Sequence, residues 1–287
     1  MWDQVVMHRF CLRLDGMTMA FKIVFTDVDG TLLDHEHRVV PESAQAIRLL
    51  QERGIPFVLV SARMPEGLMT IQHELGFDGP LVCYSGAYVL DEQGRELLSR
   101  PIDLSVARRL KVFLDTELPQ VCCSEYGYHT WACDDDADPR IQNEERITTL
   151  KALRASMDEA FDSRGVHKFL LMGEPDQIEL AERTVADAFP ELVAVRSSPI
   201  LCEIMNGQVS KAEGVRVICE HFGVSPDDAI AFGDGHNDID MLRVVPQSFA
   251  VANAVDEVKD AAAHVCAWSS DENGLGRTVE ELLNTPE

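Results

Sequence analysis

The sequence is short of positive charge. Its 287 residues hold 25 Lys and Arg against 49 Asp and Glu, a formal net charge of −24. A nucleic-acid phosphate backbone needs a basic surface, so this balance argues against nucleic acid as a partner. It argues against anionic membranes for the same reason. Long apolar runs are also missing. None approaches the roughly 18 residues of a membrane span, and Asp3, Arg9, Arg13 and Asp15 interrupt any signal-peptide core. No C-x-x-C pair occurs: Cys11, Cys83, Cys122, Cys123, Cys133, Cys202, Cys219 and Cys266 are scattered. That spacing predicts reduced thiols rather than disulfides or a zinc site. These absences point to a cytoplasmic protein with a small-molecule partner. An anionic ligand would have to be held by a few local cations or a metal, against the field of the whole protein.

What is present is ordinary globular composition, 46% apolar and 26% charged. A prior of roughly 150 residues per domain suggests two domains. Residues 1–20 are poorly patterned and read as an N-terminal extension lacking order. From Phe21 the order is strand, turn, helix, strand: Phe21–Thr26, a helix from Pro41 to Arg53, Pro56–Val60, a helix Pro65–Leu75, Leu81–Tyr84. Continuous apolar strands alternating with helices predict a Rossmann-like parallel sheet with helices on both faces. The pattern then changes to hairpin-like pieces and two amphipathic helices, one carrying Val106, Leu110, Phe113 and Leu114, the other Ile178, Ala181, Val185 and Phe189. Alternation returns near Lys211. The expectation is an α/β core, residues 21–85 and 199–287, split by an inserted α+β domain over 86–198.

Four segments carry chemistry. Asp27-Val28-Asp29-Gly30-Thr31 follows the first strand, Ser61-Ala62-Arg63 the second, Lys211 opens a helix, and Gly233-Asp234-Gly235-His236-Asn237-Asp238 follows the strand Ala229–Phe232. Ligands of open parallel sheets sit at the carboxyl ends of the strands, so these distant segments should converge at one edge. Asp27, Asp29 and Asp234 offer the hard oxygens that Mg²⁺ favours. A carboxylate there can attack phosphorus, a second can protonate the leaving alcohol, and Lys211 with the metal can neutralise the charge. Ser61, Thr31 and Gly30 offer hydroxyl or amide donors for phosphoryl oxygens. Asp238 has a plainer reading as an acid at a helix start, and Arg63 as an ion-pair residue. His35-Glu36-His37 reads as a solvated loop with a possible substrate-facing role. Tyr126, Tyr128, His129 and Trp131 read as a half-buried strand or a substrate roof, and the run Asp134–Pro139 as a solvated loop.

This set resembles the haloacid dehalogenase superfamily of phosphatases. D-x-D-G-T-[LV], a Ser or Thr after the second strand, a Lys, then G-D-x-x-N-D occur here in that order. GDGHNDIDML, FAVANAVDEVKDAA and GLGRTVEEL resemble the Cof-type sugar-phosphatase branch, whose large α/β cap lies between the second and third motifs. The resemblance implies Asp27 as nucleophile and Asp29 as general acid/base, with its backbone carbonyl on the metal. It implies Ser61 and Lys211 on the phosphoryl group, with Ala62 and Arg63 beside them, and Asn237 on the phosphoryl group or its surroundings. It implies Asp234 on Mg²⁺, with Asp238 in the outer shell or paired with Lys211. Two departures stand out: Ser61-Ala62-Arg63 replaces the usual Thr-Gly-Arg, and Ser85-Gly86-Ala87 the usual Asn-Gly-Ala. The implied activity is Mg²⁺-dependent hydrolysis of a small phosphorylated metabolite through an aspartyl phosphate. A phosphomutase or phosphotransferase on the same fold, and a non-catalytic phospho-ligand sensor, are the competing readings.

Overall fold

The computed structural model describes residues 12–14, 17–19 and 21–284. Of the N-terminal stretch, β1 (Leu12–Leu14) and β2 (Met17–Met19) pair antiparallel. The rest of residues 1–20, and the expectation that they lack order, fall outside the described residues.

Two compact units emerge, one from Met1–Ala62, Leu68–Leu97 and Ser210–Glu287, the other from Arg63–Gly67 and Leu98–Val209. The first is built on an eight-stranded sheet. Its strands are β3 (Ile23–Asp27), β4 (Phe57–Val60), β5 (Leu81–Cys83), β6 (Tyr88–Leu90), β7 (Glu96–Ser99), β14 (Ala229–Gly233), β15 (Gln247–Ala250) and β16 (His264–Val265). Their order is β16-β15-β14-β3-β4-β5-β6-β7. The six from β16 to β5 run parallel. The central strands β3, β4, β5 and β14 are buried along their whole length, which is why they read as unbroken apolar runs. The order places the ends of β14, β3 and β4 side by side, with Asp27 paired to Val60 in the register.

The second unit has a six-stranded sheet, mostly antiparallel, of β8 (Cys122–Gly127), β9 (Thr130–Cys133), β10 (Leu153–Arg154), β11 (Lys168–Met172), β12 (Leu192–Ser198) and β13 (Leu201–Asn206). Leu110 and Leu114 of the helix Leu104–Glu117 and Ile178 and Val185 of the helix Pro175–Ala188 form a core with Phe169, Leu171 and Ile204 of the sheet. The sequence-read edges at 86 and 198 are corrected. β6 turns back antiparallel onto β5 and stays in the first sheet. β13 pairs with both β11 and β12 and so belongs to the second. A switch from helices to hairpins marked the end of the parallel region, not the end of the sheet. The run Asp134–Pro139 is an exposed loop, as expected, as far as Asp138, which caps the helix Pro139–Thr148, its carboxylate accepting from the Arg140 amide at 2.8 Å. Tyr126 and Trp131 are buried and stacked, with ring centroids 5.3 Å apart. All seven described cysteines are free. Among the described residues no helix is long and apolar enough to cross a membrane.

One buried acid stands out in the second unit. Glu125 pairs in register with Phe169 and is 1% exposed. Its Oε1 accepts a weak bond from the Cys123 thiol at 3.7 Å, and its Oε2 has no partner. Burial pushes its carboxyl up from 4.5 to about 7. The folded chain therefore holds this proton more tightly than the unfolded one, and stability falls as pH rises from about 4.5 to about 7. The full shift corresponds to roughly 3 kcal/mol. The Glu125→Gln variant should therefore melt higher than the parent at pH 8, with the gap closing at pH 4.5. Thermal unfolding at both pH values, with an equal gap at each, would contradict this.

Candidate active site

Three carboxylates converge where the parallel strands end. One oxygen each of Asp27, Asp234 and Asp238 lie within 4.8 Å of one another. Asp27 is the last residue of β3 and Asp234 follows β14 directly. Asp238 closes the next turn. Its Oδ2 accepts from the amides of Asp234 at 3.0 Å and Gly235 at 2.9 Å, which folds the loop back on itself.

Lys211 enters from the start of the helix Lys211–Phe222, where Ser210 caps the helix by accepting from the Glu213 amide at 3.1 Å. Gly86, at φ +102°, lets its loop lie against the Ser210 carbonyl, where any Cβ would collide. The Lys211 ammonium is 1% exposed and donates to Asp27 Oδ1 and to Asp238 Oδ1, both at 2.5 Å. The two carboxylates, opposing its desolvation, push its pKa upward. Burial first, then repulsion from Asp238, pushes the Asp27 carboxyl up, against the pull of Lys211. Burial also raises Asp234 to about 6, although the Thr31 hydroxyl opposes it.

This donor set fits a hard divalent cation. Three carboxylates surround one ammonium, so the cluster carries surplus negative charge that a cation relieves. Asp27 and Asp234 each have one oxygen outside the bonds to Lys211 and Thr31. Both oxygens of Asp238 are already engaged, by Lys211 and by the two amides. That favours a supporting place for Asp238 over direct coordination.

The other expected residues separate. The Thr31 hydroxyl donates to Asp234 Oδ1 at 2.6 Å and its amide to the Val28 carbonyl at 3.4 Å, so both donors are engaged within the protein. Gly30 holds φ +86°, and a Cβ there would sit 2.5 Å from Asp234 Oδ2. Ser61 is buried, its amide on the Val82 carbonyl and its carbonyl on the Ser85 amide. Ala62 ends the first unit's piece, while Arg63 packs with the second. Asn237 is exposed, with its Oδ1 over Gly235. The Asp29 carboxyl lies apart from the convergent three, bonded at 2.9 Å to His37 Nδ1. His35 turns instead to Asp271. Sequence reasoning missed Asn253, whose amide donates to the Gly30 carbonyl at 2.8 Å while its Oδ1 accepts from the Ser270 amide. Its position in FAVANAV was visible, but nothing local connects it to a loop 223 residues away.

The sheet order, the carboxylates at its strand ends and the buried lysine define a Rossmann-like α/β protein with an acidic site at the carboxyl edge of its parallel sheet. The chain belongs to the haloacid dehalogenase-like hydrolases, whose family profile matches residues 24–279, and it is a phosphatase of that family. A Haemophilus influenzae protein named "Putative phosphatase" is 33% identical over 263 residues, 92% of this chain and 98% of its own. "Putative phosphatase YkrA" of Bacillus subtilis is 30% identical over 266 residues, covering 92% and 98%. A solved haloacid dehalogenase-like hydrolase from Bacteroides thetaiotaomicron is 23% identical. It superposes with a TM-score of 0.83 over 91% of this chain and 98% of its own, a likeness of fold.

Removing the ammonium leaves buried carboxylates without a counter-charge, a change that typically costs about 3–5 kcal/mol. Lys211→Met should therefore lower the urea midpoint clearly in metal-free buffer. Adding Asp238→Asn to it should recover part of the loss. Equal midpoints for Lys211→Met and the parent would contradict the pairing described above.

Proposed function

We propose that this phosphatase hydrolyses a small phosphorylated metabolite, such as a sugar phosphate, with Asp27 as nucleophile. The observation that carries the reading is the 2.5 Å bond from Lys211 to Asp27 Oδ1, which fixes this carboxylate at the end of β3 among the cation-binding acids. An Asp27 oxygen bonds to phosphorus as the ester P–O bond breaks, and Asp29 gives its proton to the departing alcohol oxygen. A water oxygen then bonds to phosphorus and Asp29 takes its proton. The acyl-phosphate P–O bond breaks, which restores the Asp27 carboxylate and releases phosphate. Lys211 holds Asp27 in place and offsets charge on the phosphoryl oxygens. Ser61 lies at the end of the adjacent strand, the position from which a hydroxyl can hold a phosphoryl oxygen, with Ala62, Gly30 and Asn237 as further contacts. Asp27, Asp234 and the backbone carbonyl of Asp29 would hold Mg²⁺, with Asp238 behind them. Bound there, the ion neutralises phosphoryl charge and orients the group for attack. We assign the choice of metabolite to the second unit, in the role of the family's cap, with Arg63 among its residues.

Asp27→Asn should lower turnover of a generic phosphate ester by roughly a thousandfold or more. EDTA should abolish parent activity and excess Mg²⁺ restore it. Release of inorganic phosphate, followed directly, separates hydrolysis from transfer to a second acceptor. A fully active Asp27→Asn enzyme would overturn the mechanism.

A further inference from the structure

The turn after the nucleophile strand is built around one carboxylate. Asp34 Oδ1 accepts from the amides of Glu36 and Arg38, both at 2.9 Å, and Asp34 Oδ2 accepts from the Arg38 side chain. The Asp34 amide donates to the Arg38 carbonyl at 3.0 Å, and the His37 amide to the Asp34 carbonyl at 3.0 Å. From outside the turn, Asp271 accepts from the His35 amide at 2.9 Å. This frame holds His37 at φ +58°, a left-handed conformation unusual for a residue with a side chain. Such a conformation persists only where the surroundings over-determine it, and it tends to mark sites with a task. The result is that His37 Nδ1 lies 2.9 Å from Asp29 Oδ1 at the surface, with the two side chains 48% and 36% exposed.

The arrangement separates two kinds of carboxylate. Asp27, Asp234 and Asp238 converge as a cation-binding group, whereas the Asp29 carboxyl, two residues beyond Asp27, is fastened to the imidazole. We propose that His37 is a positioning residue for Asp29, holding its carboxyl out of the cation's ligand set and oriented for proton transfer. This rests on the assignment of Asp29 as the acid/base group. A carboxyl in that role must keep one rotamer close to the leaving oxygen, and one that joined the metal would lose its proton. His37 does not touch substrate. Its effect passes through Asp29.

The donor can be removed without disturbing the turn. Glycine and asparagine both tolerate a left-handed φ. Asparagine also carries an amide nitrogen two bonds from Cβ, where the histidine has Nδ1. His37→Gly therefore deletes the bond and His37→Asn keeps it. Single-turnover alcohol release is measured in the Mg²⁺-loaded full chain with phenyl phosphate and with p-nitrophenyl phosphate. Phenolate is the poorer leaving group and depends more on the acid. The expected result is that His37→Gly slows phenyl phosphate by about tenfold more than p-nitrophenyl phosphate, with KM within about twofold. His37→Asn should retain the parent ratio. Equal factors on both esters, or His37→Asn behaving as His37→Gly, would overturn the proposal. Asp29→Asn, run alongside, should steepen the leaving-group dependence. If it does not, the acid/base assignment fails and this proposal with it, whereas full activity in Asp27→Asn would separately sink the nucleophile.

Discussion

The buried ammonium of Lys211 is the interaction on which the rest of the site depends. Two carboxylates from strand ends far apart in sequence cannot share a dry pocket without a cation between them. Lys211 meets both Asp27 and Asp238 at 2.5 Å. It thereby joins the first strand of the core, the loop after β14 and the helix that returns the chain from the second unit. The constraint is severe because the group is nearly inaccessible to water. Its charge has to be matched by protein oxygens, and Asp27 and Asp238 supply them.

Around this pair, backbone groups and short polar side chains hold the acids at fixed angles. Asp238 gathers the amides of Asp234 and Gly235, so the loop after β14 closes on its own carboxylate. Thr31 restrains Asp234, and Asn253 ties the Gly30 carbonyl to the segment near Ser270. Gly30 is required where the two strand-end loops touch, because a Cβ would collide with Asp234. Each restraint comes from a different part of the chain, which is how an open sheet edge becomes a preorganised site.

Much of this was legible in the sequence because the signals were local. Apolar strand stretches such as Ile23–Phe25 and Ala229–Phe232 announced a parallel sheet, and the strand-end placement of Asp27 and Asp234 followed from it. The limits of the second unit were less legible. β6 and β13 are short strands whose sheet is decided by a partner, and no strand carries its partner in its own residues. The direction in which Thr31 donates was hidden for the same reason, since a hydroxyl in D-G-T can face a ligand or a neighbouring acid equally well.

The sequence by itself determined the alternating architecture, the acidic motif set and its lysine, because periodicity, strand-end position and residue chemistry are carried in short stretches. Only the tertiary structure decided how those groups divide their work. Asp238 is engaged by Lys211 and two amides, Thr31 faces Asp234, and Asp29 is held on His37 rather than among the other three carboxylates. Such choices depend on ångström-scale distances between residues brought together by folding, and a linear pattern contains no such distances.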